Sequence, residues 1–166
     1  MTDTENEQRT NNILLKQFNC SWNMLREAID KVPQDLWAKV AVEWSFSWVV
    51  YHIIESADFY CRNTPEGMEW GKRAGIERGK DSESVVSEKK SGITKEILII
   101  YLDEIKEKLS RVLGATTDSE LLTRDGFTWF DSVLEKFLYL LRHNMHHVGE
   151  LNKTLRDNEC ERIRWT

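Results

Sequence analysis

Three of the chain's four histidines lie within five residues: His143, His146 and His147, in the run Tyr139-Leu-Leu-Arg-His-Asn-Met-His-His-Val-Gly-Glu-Leu-Asn152. On a helix, residues four apart share a face one turn apart, so His143 and His147 present their rings together. That pair is a natural grip for one transition-metal ion. His146 is rotated about 100° from His147 and falls outside it. The fourth histidine, His52, lies far upstream in an apolar stretch with helical period. If its helix packs beside the later one, three neutral imidazoles converge and leave an open coordination position, as in catalytic zinc sites. The same donor set suits nickel or iron(II). Glu150, three residues past His147, is placed to orient a ligand ring through its other nitrogen. Glu55, one turn after His52, is a candidate fourth ligand, though its place fits better a carboxylate behind the ligands or a solvent-facing residue. The plainer reading also stands: histidines in a helix seam serve as hydrogen-bonded core residues.

Four helical periods must position these groups. Leu14, Phe18, Trp22, Leu25 and Ile29 recur every three or four residues, and Pro33 closes that segment. A connector over 33–44 carries a short turn near Asp35. Ser45 is the expected N-cap of the second helix, in which Trp48, His52, Glu55 and Phe59 are spaced 4-3-4. Residues 63–92, with Pro65 and five glycines, break the pattern and predict a long connection. Thr94 caps a third helix through Ile97, Tyr101, Ile105, Leu109 and Val112, ending near Gly114. A turn-rich connector follows. The fourth helix is predicted over about 129–157, entered through Thr128 and Asp131, with Val133, Phe137, Leu140, Asn144, His147 and Leu151 as its seam. Four long helices and no strand alternation predict an all-α, antiparallel four-helix bundle.

Bulk properties narrow the function classes. A length of 166 residues fits a single domain over 1–166, with 1–10 and 158–166 expected to be loosely ordered. A net charge of −5 with no basic stripe argues against nucleic acid as a partner. The apolar runs 46–54 and 97–102 are too short to span a bilayer, and no apolar leader opens the chain, so a cytoplasmic location is expected. Cys20, Cys61 and Cys160 are odd in number and widely spaced, which fits a reducing compartment rather than a disulfide framework.

The pairing of Trp44-Ser45 and His52-Ile53-Ile54 with the late Arg142-His-Asn-Met-His-His-Val-Gly-Glu-Leu-Asn152 run resembles the DinB-like (DinB/YfiT-like) superfamily of metalloenzymes. The resemblance covers nearly the whole chain and draws its specificity from His52 and the H-x3-H-x-G-[QE]-[LI] segment. It implies an up-down-down-up helix order with a long link between helices 2 and 3, and a site of His52, His143 and His147 holding zinc or nickel, with iron as a further option. Glu150 stands where the family pattern more often has glutamine. The resemblance further implies a homodimer, with Trp37, Trp70 and Trp165 as candidate contact residues, and a thiol-dependent S-transferase or a hydrolase. In the transferase, a small-molecule thiol attacks an electrophile held against an aromatic wall, of which Trp48 and Trp129 are candidates. The contrasting expectation is a non-catalytic metal-binding or dimeric stress-related scaffold.

Overall fold

The computed structural model describes residues 9–39 and 44–166. Among these residues it is all-helical, with seven α-helices, one 3₁₀ turn and no strand. Four helices are long: α1 (Arg9–Lys31), α3 (Phe46–Tyr60), α5 (Lys95–Ala115) and α7 (Val133–Asp157). Three short ones lie in the connections: α2 (Gln34–Trp37), α4 (Glu83–Ser91) and α6 (Asp118–Leu121). Helices α1 and α3 each pack against both α5 and α7. Among the described residues, no helix is long and apolar enough to cross a membrane.

Local chemistry sets the helix starts. Ser45 accepts from the Trp48 amide and opens α3, and Thr94 accepts from Ile97 and opens α5. Helix α7 begins later than its expected start near 129. Residues 127–130 form a turn, with the Phe130 amide donating to the Phe127 carbonyl, and Ser132 is the cap, accepting from Glu135. Two short helices escape a reading by periodicity. Helix α6 is opened by a Thr117/Glu120 capping box, and α4 is capped at its start by Ser82 and buries no residue fully. Neither is long enough to show a hydrophobic period.

The core seams are rotated slightly from those expected. On α5, Leu98, Leu102 and Leu113 join Tyr101, Ile105 and Leu109 inside, while Ile97 faces outward. On α7, the buried line is Phe137, Leu140, Asn144, Val148, Leu151 and Leu155. Val148 takes the place predicted for His147, which moves to the rim. On α3, Val50, Ile54 and Ala57 lie deepest, and His52 is half-buried. Trp37, proposed as a surface residue, is fully enclosed and donates through Nε1 to the Ile93 carbonyl at 2.7 Å.

The polar C-terminal tail is tied down rather than loose. Ile163 is buried, its amide donates to Asn152 Oδ1 at 3.1 Å, and the Arg164 amide donates to Glu27 at 2.9 Å. Lys31 bridges Glu27 on its own helix to Glu161 on the tail, each at 2.7 Å. At the other end, Arg9 and Thr10 belong to α1, and the rest of the 1–10 expectation lies outside the described residues.

Glu55 departs most from its expected role. It is buried and turned to other partners than the histidines, accepting from the Tyr51 hydroxyl at 2.8 Å and from the Gly71 amide at 2.6 Å. Burial pushes its carboxyl above the ordinary range, against the opposing effect of these hydrogen bonds. Gly71 adopts φ +84°, and a Cβ there would come within 2.9 Å of Ile76 Cβ. Glu55 therefore fastens the long connection to α3. Glu55→Ala leaves a buried amide and hydroxyl unpaired, each costing roughly 1–3 kcal/mol. Amide exchange over residues 69–76 is expected to accelerate at least tenfold in this variant, while exchange in α1 and α7 keeps its rate.

Candidate metal centre

Helices α3 and α7 bring His52, His143 and His147 together at the rim of their interface. Their ring centroids are 4.9 Å (His52–His143), 4.9 Å (His52–His147) and 4.6 Å (His143–His147) apart. The Nε2 atoms of His52 and His143 approach to 3.0 Å, and one ligand atom from each of the three lies within 4.8 Å of the others. A tetrahedral zinc with Zn–N of about 2.0–2.1 Å requires ligand nitrogens about 3.3 Å apart. The His52–His143 pair is within about 0.3 Å of that spacing, and the His147 ligand atom lies within 4.8 Å of both.

The histidines are set by the seam shift. With Val148 and Asn144 in the core, His147 and His143 are turned to the edge of α7, and His52 meets them from the edge of α3. Half-burial of this kind removes bulk water from the rings without sealing them. His52 and His143 are both driven down to about 4, by burial first and then by the neighbouring imidazoles. At neutral pH both are uncharged, the form in which imidazole ligates. Below the ordinary histidine value of about 6.5, the unfolded chain binds these protons and the folded chain does not. Their contribution to stability is therefore complete above pH 6.5 and is lost as pH falls towards 4. Metal-free protein should show a melting temperature that drops across this window, and the drop should shrink in His52→Gln. A flat profile between pH 7 and 4.5 would contradict the burial of neutral rings.

Glu150 supports the third ring. Its Oε2 is 2.6 Å from His147 Nδ1, which leaves Nε2 of that ring for the cluster. Its Oε1 is 3.3 Å from His146 Nε2. His146 itself is two-thirds exposed and outside the triad, as its helical angle predicts.

Aromatic rings flank the site. Trp44, just ahead of the α3 cap, lies 4.8 Å from the His52 ring and 6.3 Å from that of His147, nearly parallel to the latter. Tyr139, one turn before His143, lies 6.3 Å from that ring at 26°. Of the two tryptophans expected to wall the site, Trp48 stacks on Tyr51 at 4.7 Å with Lys90 over its face at 4.3 Å. Trp129 belongs to a different cluster, against Phe127 and Phe130, and is half exposed. Trp70, a candidate dimer contact, packs on Phe59 in that same cluster. A cleft of about 390 Å³ between α3 and α4 is lined by Trp44, Ser45, Trp48, Val86, Ser87 and Lys90, among others. No histidine lines it, but Trp44 is common to the cleft and the triad. The signal for Tyr139 was present in the i,i+4 spacing to His143. Trp44 precedes its helix, and no helical period could place it over His52.

The fold and site so far define an all-helical protein with a histidine cluster held between two long helices. A family model described as the DinB superfamily matches residues 17–151, well over half of the chain. The chain belongs to the DinB superfamily. No curated protein and no solved structure matches it.

Proposed function

We propose that this protein binds one divalent metal ion through His52, His143 and His147 and uses the open position for thiol-dependent group transfer. The observation that carries this reading is the convergence of three imidazoles from two helices, two of them held neutral and the third oriented by a carboxylate. The all-nitrogen set suits zinc or nickel, with iron(II) a further option. A bound ion would supply Lewis acidity, lowering the pKa of a thiol or water at neutral pH. The chain's own residues do the rest. Glu150 keeps His147 in one tautomer. Trp44 and Tyr139 flank the rings, and the cleft beyond Trp44 offers an aromatic wall of Trp44 and Trp48 beside Lys90, Asp81 and Glu83 for a small thiol or its electrophile.

The up-down-down-up helix order belongs to the same proposal. Lys95 at the start of α5 donates to the Val32 carbonyl beyond the end of α1, Asp58 near the end of α3 pairs with Lys108 late in α5, and Tyr60 of α3 meets Tyr139 early in α7. These contacts support α3 and α5 running together, opposite to α1 and α7. A homodimer working in the cytoplasm completes the reading. The absence of disulfides at Cys20, Cys61 and Cys160 supports a reducing setting.

One observation favours a non-catalytic metal-binding scaffold instead. Glu55 is committed to the Gly71 connection, so among the described residues Glu150 is the carboxylate in contact with the triad, and it is already occupied with His147. Metal analysis of untagged protein, after reconstitution with zinc or nickel, decides the common ground. About one ion per chain is expected, and a clearly substoichiometric content would remove both readings. A screen of small thiols with a generic electrophile then separates them: metal-dependent thiol consumption supports the transferase, and its absence supports the scaffold.

A further inference from the structure

We infer that Asn144 is the positioning residue for His143, its Oδ1 accepting a hydrogen bond from His143 Nδ1–H and so turning the bare Nε2 towards His52 and His147. This rests on the metal-site reading for its purpose, but not for its geometry. The His52 and His143 Nε2 atoms are 3.0 Å apart, so one of them carries the proton and the other is bare. If the bare one is His143's, its Nδ1 holds the proton and needs an acceptor. That Nδ1 is buried and has no hydrogen-bond partner. Asn144 is wholly buried in the α7 seam, and both of its amide atoms are without a partner too. Asn144 is the residue directly after His143 on α7, so the two orphaned groups are chain neighbours. Each buried group left unpaired costs roughly 1–3 kcal/mol. Side-chain rotation that joins Oδ1 to Nδ1–H would satisfy two of them together. A seam position is otherwise a place for leucine or valine, as the neighbouring Leu140, Val148 and Leu151 show.

The consequence is a fixed tautomer pattern. His143 carries its proton on Nδ1 and receives at Nε2 the hydrogen bond that His52 donates from its own Nε2–H. The Nε2 lone pair of His143 then already faces the place where an ion would bind. A ligand imidazole usually donates its second N–H to just such a partner.

Long-range ¹H–¹⁵N spectra of the metal-free protein at neutral pH read these tautomers directly. The wild type is expected to show Nδ1–H on His143 and Nε2–H on His52. Asn144→Leu, close to asparagine in shape, should convert His143 to a mixture or to Nε2–H, while Asn144→Asp, which keeps the acceptor, should retain Nδ1–H. Asn144→Leu should also weaken zinc binding about 10–100-fold, measured by chelator competition. Its metal-free melting temperature should change little, because the loss of the Oδ1 contact is offset by removal of the unpaired Nδ2 amide and by the shift of the His143 proton to Nε2. A purely structural asparagine would lower stability and leave the tautomers alone. Nε2–H on His143 in the wild type, or an unchanged tautomer in Asn144→Leu, overturns the inference. If the wild type shows the expected tautomers and binds neither zinc nor nickel, the metal-site reading fails and the positioning role of Asn144 stands.

Discussion

Alanine in place of His143 is expected to abolish stoichiometric binding of zinc or nickel. Loss of a hydrogen-bond partner behind a ligand costs metal affinity about 10–100-fold. Loss of a ligand from a three-nitrogen set should exceed that, because two imidazoles and water no longer close the site. His52→Ala, on a different helix, should do the same, since its Nε2 lies 3.0 Å from that of His143. Glu150→Gln should fall in the 10–100-fold range, as it weakens the 2.6 Å contact that sets the His147 ring. His146→Ala should cost little, because that ring faces solvent. The series is read by elemental analysis and chelator competition, with circular dichroism to confirm the helices. The diagnostic comparison is between neighbours in sequence: His146→Ala and His147→Ala should differ by at least an order of magnitude. Equal losses would mean that the ion, if any, is gripped at the exposed His146–Glu150 edge and not between α3 and α7.

The largest loss of stability is expected from Lys136→Ala. Lys136 is buried at the start of α7, with its ammonium donating to the Arg62 carbonyl at 2.9 Å and paired with Asp125. The ammonium lies over the rings of Phe127, at 4.7 Å, and Phe137, at 5.2 Å. Those contacts tie the end of α3 to the turn before α7. Gly126 completes the joint, donating to the Asn63 carbonyl at 2.8 Å in a space too tight for a Cβ. Breaking a buried pair by removing one partner costs about 3–5 kcal/mol, because the other charge is left without compensation. For a chain of this length that corresponds to a fall in Tm of roughly 6–20 °C. Lys136→Met keeps an unbranched chain against the aromatic rings and should recover part of the loss. Combined with Asp125→Asn it should lose less than the two single changes summed, since no charge is left stranded. A loss below about 1 kcal/mol for Lys136→Ala, in a denaturant titration with an unchanged slope, would show that water reaches Asp125.

The sequence carried the elements of this molecule well where a signal repeats. The four long helices and the caps at Ser45 and Thr94 follow from period and capping chemistry, which are local. His143 and His147 on one side and His146 on another follow from the same 100° step. Errors began where an angle had to be known to better than one residue. Val148 and His147 are both compatible with a 4-3-4 stripe, and only the packing of α1 and α3 against α7 decides which goes inside. Glu55 illustrates the same limit on α3. Three residues from His52 is short of a full turn by about 60°, and that difference sends its carboxylate to Tyr51 and Gly71.

The late histidine run and His52, by type and spacing alone, determined that two rings share a helix face and that a third was available from another helix. Tertiary structure alone decided that the third arrives, at 3.0 Å, and that Trp44 and Tyr139 stand beside the cluster while Trp129 does not. It also decided that Glu55 fastens the long connection and that Lys136 is buried under Phe127. The physical reason is the range of the interactions. Helical period and capping act over three or four residues and are written in the chain. The meeting of His52 with His143 spans 91 positions and depends on how whole helix faces pack.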